Sequence, residues 1–190
     1  LVYSDWLSGL TTVKYWAMVA AIIAAYMVWY KLTDKTRLAN LLLYGSFLAV
    51  MRVVIDLYGV QSGLWYYKDR ILPISPSLFI HALTLTPLTY MLVQQYSPNW
   101  RQFFVWNAIG TGFVEVVIKL LETLGYVQSM RWNYVYGFIV MYVAATLARA
   151  AFHLVIQVQE KAREGKLSPL QSTLAQPAFK QLEDKDEKDK

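Results

Sequence analysis

Apolar residues fill most of the chain in long blocks, and short polar connectors interrupt them at near-regular intervals. A helix needs about 20 apolar residues to cross roughly 30 Å of hydrocarbon. Set against that length, the blocks predict five helices at about 12 to 30, 38 to 59, 76 to 96, 103 to 125 and 134 to 158. The expected fold class is therefore all-α: a polytopic membrane helix bundle. Residues 1–11 precede the five-helix domain, 12–158 form it, and 159–190 make a polar tail. Two prolines and an alternating-charge end, KLSPLQSTLAQPAFKQLEDKDEKDK, predict that this tail is largely disordered after a short helical extension.

Aromatic side chains crowd the predicted helix ends. Trp65, Tyr66, Tyr67, Trp100 and Trp132 are the densest of them and read as an interfacial belt at the lipid headgroups. The first block ends in MVWYK without a small-residue cleavage site, so it reads as a retained span rather than a signal peptide.

Composition agrees with this pattern and narrows the function classes. With 56% hydrophobic and 16% charged residues, the chain is not expected to fold as a soluble domain. Its net charge of +5 comes from basic residues at the ends of apolar blocks, not from a basic-aromatic surface that would follow nucleic acid. Lys31, Lys35, Arg37, Arg101, Lys161, Arg163 and Lys166 fall on one predicted side; Lys14, Lys68, Arg70 and Arg131 fall on the other. The positive-inside rule then predicts an outside N-terminus and a cytoplasmic C-terminus. The chain contains no cysteine, so disulfides, thiolate metal sites and thiol nucleophiles are excluded.

Charges inside the apolar blocks are the candidate chemistry. The second span holds RVVIDL (Arg52 and Asp56) and the fourth holds EVVIKL (Glu115 and Lys119), the same hexapeptide with its charges exchanged. At matched depth, Arg52 is expected to face Glu115 and Asp56 to face Lys119. The i,i+4 spacing also permits pairing within each helix. His81 and Glu122 fall in the same half of the bundle, which predicts an intramembrane cluster of Arg52, Asp56, His81, Glu115, Lys119 and Glu122. Ionisable groups in a membrane are functional candidates by default.

Pro87, with Thr84, Thr86 and Thr89 around it, predicts a kink or hinge in the third span. Arg149 and His153 in the fifth span are expected to snorkel to the inner headgroups or bind anionic lipid there. At 1.5 Å per residue, His153 and His81 are separated in depth by roughly 20 Å, so no shared metal site is expected. Small residues four apart (Ala17, Ala21 and Ala25; Ala144 and Ala148) suit close helix packing or a homo-oligomer face.

The motifs DLYGV, GLWYY, Leu72-Pro73, PLTYMLVQQYSPNW and RWNYVY, together with Glu115, carry a resemblance. Over roughly residues 50 to 150 the chain resembles a family of small, uncharacterised multi-pass membrane proteins of endospore-forming Gram-positive bacteria. The matching positions are Asp56, Gly63, Trp65, Pro73, Pro87, Tyr90, Gln95, Pro98, Trp100 and Glu115; Lys119 lies outside the pattern. The resemblance implies a bacterial cytoplasmic or spore membrane and no particular activity.

Two functional readings stand. One is a non-enzymatic membrane protein, structural or partner-binding, held by its ion pairs, with the lipid bilayer and a protein or homo-oligomeric partner around it. The other is a small ion- or proton-coupled transporter or channel component using the polar cluster. HExxH, GxSxG and phosphate-cradling glycine motifs are missing from the sequence, so neither catalytic residues nor a cofactor are expected.

Overall fold

A computed structural model describes residue 7 and residues 9–67 and 83–186, with side chains described as far as residue 162. Five helices and two short strands follow one another: α1 (Val13–Leu32), a 3-10 turn (Lys35–Arg37), α2 (Leu38–Gln61), β1 (Trp65–Tyr67), α3 (Thr86–Gln95), α4 (Trp100–Thr123), β2 (Val127–Ser129) and α5 (Tyr134–Asp186). The protein is mostly helical. Among the described residues, four helical stretches are long and apolar enough to cross a membrane: Val13–Leu32, Lys35–Gln61, Trp100–Thr123 and Tyr134–Ala162.

The surface of the bundle is that of a protein surrounded by lipid. On α4, Val105, Ile109, Phe113, Val116 and Leu120 are exposed, whereas Phe103, Asn107, Thr111 and Val114 are buried. On α5, Ile139, Val143 and Leu147 face out while Met141, Ala144, Ala145 and Ala148 pack inward. Large apolar side chains outside, with small and polar ones inside, leave the hydrophobic effect in water with little to hold together, but suit close packing within hydrocarbon. A bundle built this way belongs in a membrane.

Two features close one end of the bundle. Helix α2 stops in a left-handed Gly63 (φ 65°) and α4 in a left-handed Gly125 (φ 81°), a conformation that costs glycine least. At each stop the glycine N–H and the next residue's N–H bond back to the last turn: Gly63 to Val60 and Leu64 to Gly59, then Gly125 to Glu122 and Tyr126 to Leu121. These are paired Schellman caps. Each aims the chain directly into a strand, and β1 and β2 pair antiparallel with Trp65 opposite Ser129 and Tyr67 opposite Val127. Tyr126 reaches α1 through its hydroxyl, which donates to the Lys14 carbonyl at 3.3 Å. Hence α1 begins, α2 and α4 end, and α5 begins at this ribbon end. This two-stranded element is absent from the all-α expectation, because three-residue strands carry too little alternation to be read from sequence.

At the opposite end, the Asp34 N–H donates to Gln95 Oε1 at 2.9 Å and Gln95 Nε2 donates to the Leu32 carbonyl at 2.9 Å. The α1–α2 connector is thereby fixed to the C-terminal end of α3. Helix α4 starts beside it under an Asn99 cap, whose side chain accepts from the Gln102 N–H at 2.9 Å.

Only part of the third predicted span, 76 to 96, falls within the described residues. There, Leu83 to Leu85 form a π-turn that runs into α3, and Pro87 sits in the first turn of the α-helix, where its missing N–H is least costly. Pro87 thus follows directly on the π-turn. His81 lies outside the described residues.

The chain divides into two units, Leu1–Ala150 and Ala151–Lys190. In the second unit α5 runs on to Asp186, well past the short extension expected.

Candidate functional site: a buried ionic centre beneath the ribbon

Arg52 and Asp56 are one helical turn apart on the inward face of α2, and they pair with each other: Arg52 Nη2 lies 2.9 Å from Asp56 Oδ1. Asp56 is 0% exposed and Arg52 8%. Moving two ions out of water carries a large desolvation penalty, so the rest of the hydrogen-bonding capacity has to be met nearby. Tyr67 of β1 meets some of it, donating its hydroxyl to Asp56 Oδ1 at 2.9 Å. Burial, reinforced by the Asp56 carboxylate beside it, raises the Tyr67 hydroxyl above its ordinary value and keeps it a donor. The Trp65 indole N–H also reaches toward Asp56, though without hydrogen-bond geometry.

Trp65 can lie there because of Gly59. A Cβ at that position would collide with the Trp65 ring. Trp65 and Trp132 then meet edge to face, their centroids 5.0 Å apart. Trp65 and Tyr67 are accordingly core residues over the ion pair, not members of an interfacial belt; Tyr66, Trp100 and Trp132 keep partial exposure. The strand alternation explains this, since only Tyr66 points away from the helices.

Glu115 of α4 stands at the edge of this centre, close enough to feel the Arg52 charge but outside salt-bridge distance. Its carboxylate packs over Gly137 of α5, where a Cβ would come within 2.6 Å of Oε1. Beside it is a cavity of about 30 Å³ lined by Arg52, Trp65, Tyr67, Glu115, Trp132 and Tyr134 among others. That is room for a single water-sized group.

The cross-helix ladder expected from RVVIDL and EVVIKL is not formed. Among the described residues the salt bridges are Arg52–Asp56 and Lys119–Glu122, both within a helix. Lys119, its side chain 61% exposed, stays in the open and donates to the Tyr134 hydroxyl at 3.0 Å. Burying its ammonium to reach Asp56 would add a desolvation penalty for an aspartate already paired. Glu122 accepts from Tyr134 and, at 3.3 Å, from the Ser129 N–H, so it ties α4 to β2 and α5 instead of joining the buried centre.

Further along the bundle, sequence reasoning passed over a second buried polar layer. Asn107, 0% exposed, donates Nδ2 to the Tyr142 carbonyl at 3.1 Å and to Thr146 Oγ1 at 3.2 Å. Thr111 donates to the Asn107 carbonyl at 2.7 Å and shares a 2.7 Å bond with the Tyr90 hydroxyl. Helices α3, α4 and α5 are thus joined by side chains in one network. The signal was there: Asn107, Thr111 and Glu115 recur every four residues on α4, which is one polar face, but neutral residues draw less notice than charges.

Arg149 closes the third layer. It does not snorkel: it is 1% exposed, with Nη1 donating to Gln94 Oε1 at 2.8 Å and Nη2 to the Ser97 carbonyl at 2.9 Å. Its guanidinium lies over Phe103 (4.5 Å) and Trp100 (5.2 Å). A guanidinium is weakly hydrated and stacks on aromatic rings. The C-terminal end of α3 also supplies partial negative charge, so a buried Arg can be held here without a carboxylate. His153, in the second unit, is half-buried beside Phe152 with ring centroids 5.5 Å apart.

From Phe103 through Asn107 and Thr111 to Glu115, the inward face of α4 spans about 18 Å at 1.5 Å per residue. Three polar layers therefore occupy most of the bundle's depth, and they interlock α2 to α5. Among the described residues no group of three His, Asp or Glu side chains is placed to hold a metal ion. No protein-family model, curated protein or solved structure matches the chain.

Proposed function

We propose that this is a non-enzymatic multi-pass membrane protein, structural or partner-binding in role, whose three buried polar layers brace the bundle and hold an aromatic ribbon rigidly at one face. The carrying observation is that buried polar side chains join separate helices, Asn107 and Thr111 linking α4 to α5 and α3, and Arg149 linking α5 to the end of α3. The cavity beside the ionic centre has room for about one water. Transport by alternating access needs groups that exchange partners between two arrangements. Interlocked layers favour a brace.

Five spans, an outside N-terminus and a cytoplasmic C-terminus complete the reading. The third span, 76 to 96, is supported by its described part, since α3 ends where Gln95 bonds the α1–α2 connector, at the end opposite the ribbon that holds Tyr67. The positive-inside asymmetry and the resemblance support a bacterial cytoplasmic or spore membrane, with the ribbon outside. A cysteine at Gly63 is then expected to react with an impermeant thiol reagent on intact cells and one at Ser168 only after lysis. Reversed labelling would overturn the orientation. In sealed liposomes the purified protein is expected to leave proton and potassium gradients unchanged. A flux abolished by Glu115→Gln would replace the brace with the transport reading.

A further inference from the structure

The cavity beside Glu115 is not explained by bracing. A brace satisfies its polar groups, yet Glu115 makes no hydrogen bond or salt bridge among the described residues, and the buried Arg52 leaves its Nε without a partner. Both line the same small space. Arg52 is committed to Asp56 at 2.9 Å, so the three charges together leave one net negative charge, and Glu115 carries it.

The walls indicate what would neutralise it. Trp65, Tyr67, Trp132 and Tyr134 line the same space as Glu115. Aromatic faces attract cations through the ring quadrupole, more strongly where water is excluded. An alkali or divalent ion prefers several oxygen ligands. The lining side chains offer one carboxylate, Glu115, with Ser129 and two neutral phenols, beside the Arg52 guanidinium, which is a poor oxygen set for a metal cation. A group that donates hydrogen bonds and tolerates aromatic walls fits better. A quaternary ammonium has no N–H to give Glu115, whereas a primary one has three, and the space is open on one side for its substituent. Gly137 keeps the carboxylate in place, since a side chain there would displace it.

We propose that the Glu115 cavity is a binding site for a primary ammonium group, the –NH3+ end of a small amine or of an aminophospholipid headgroup. Glu115 accepts its hydrogen bonds and the Trp65–Trp132 pair forms the wall against which it rests. The site is independent of the bracing role and stands or falls separately from it.

The test is calorimetric titration of the full-length protein in detergent with methylammonium, tetramethylammonium and potassium chlorides, repeated on Glu115→Gln. Saturable methylammonium binding is expected, at least tenfold weaker in Glu115→Gln, with tetramethylammonium and potassium each at least tenfold weaker than methylammonium. Thermal unfolding of Glu115→Gln monitored alongside confirms that the variant is folded. Absence of saturable methylammonium binding to the folded wild type would overturn the site, as would binding unchanged in Glu115→Gln or equal binding of potassium or tetramethylammonium. Nanodiscs of phosphatidylethanolamine and of phosphatidylcholine separate the sources. Weaker apparent methylammonium affinity in the former identifies the lipid headgroup as occupant, and equal affinity identifies a soluble amine.

Discussion

Replacing Asp56 by leucine isolates what the buried ion pair does. The substitution leaves the Arg52 guanidinium, 8% exposed, without its carboxylate, and removing one partner of a buried pair costs about 3 to 5 kcal/mol. It also removes the buried Tyr67–Asp56 hydrogen bond, which adds about 1 to 3 kcal/mol. The total, about 4 to 8 kcal/mol, is comparable with the whole stability of a typical domain, about 5 to 15 kcal/mol. On the usual scale for a chain of this size, it lowers the unfolding temperature by roughly 10 to 30 °C. Removing all three polar partners is different: Arg52→Met, Asp56→Leu and Tyr67→Phe together leave no orphaned charge or hydroxyl at the pair, and an apolar substitute of similar volume is often neutral. The assay is the temperature at which the monodisperse peak is lost on size-exclusion chromatography in detergent. Asp56→Leu is expected to fall sharply and the triple variant to return close to wild type. A triple variant as unstable as the single one, or a single one as stable as wild type, refutes the account, because either outcome means that pairing is not why these groups are tolerated.

Gly59→Ala places a methyl group where the Trp65 ring lies, so overpacking is expected to cost about 1 to 3 kcal/mol and to shift tryptophan fluorescence as the indole moves; an unchanged spectrum would contradict the contact. Arg149→Lys keeps the charge but not the fork that joins Gln94 to Ser97, and a loss of about 1 to 3 kcal/mol in thermal unfolding is expected, whereas a snorkelling side chain would show none. At the connector, hydrogen bonds from the Thr36 side chain, then its N–H, hold the Asp34 carboxyl below its ordinary value. A lowered value in the folded state means that this cap stabilises above the ordinary carboxylate range and is lost as pH falls through the lowered value, so connector amide protection, relative to intrinsic exchange, is expected to fall below about pH 4 in wild type and to be independent of pH in Asp34→Asn.

Span positions and membrane character were legible in the sequence because they depend on chain-local quantities: the length of apolar runs, and the charges and aromatics that end them. The predicted starts at 12, 38, 103 and 134 fall within a few residues of those of α1, α2, α4 and α5. The i,i+4 spacing of Arg52 and Asp56 likewise announced a shared face, since helix geometry alone determines it. Partner choice was not local. Whether Asp56 meets Arg52 or Lys119 depends on helix rotation and on which side chains reach the space first. Here Tyr67, set down by a ribbon too short to leave a sequence pattern, bonds Asp56 alongside Arg52. Arg149 shows the same limit: its position near a helix end suggests headgroups, but the C-terminal carbonyls of α3 and two aromatic rings come together around it only when the helices pack. The sequence by itself determined which segments are long and apolar enough to cross lipid, because transfer into hydrocarbon acts on each segment separately. Tertiary structure decided which buried groups satisfy one another and which carboxylate, Glu115, is left facing a cavity.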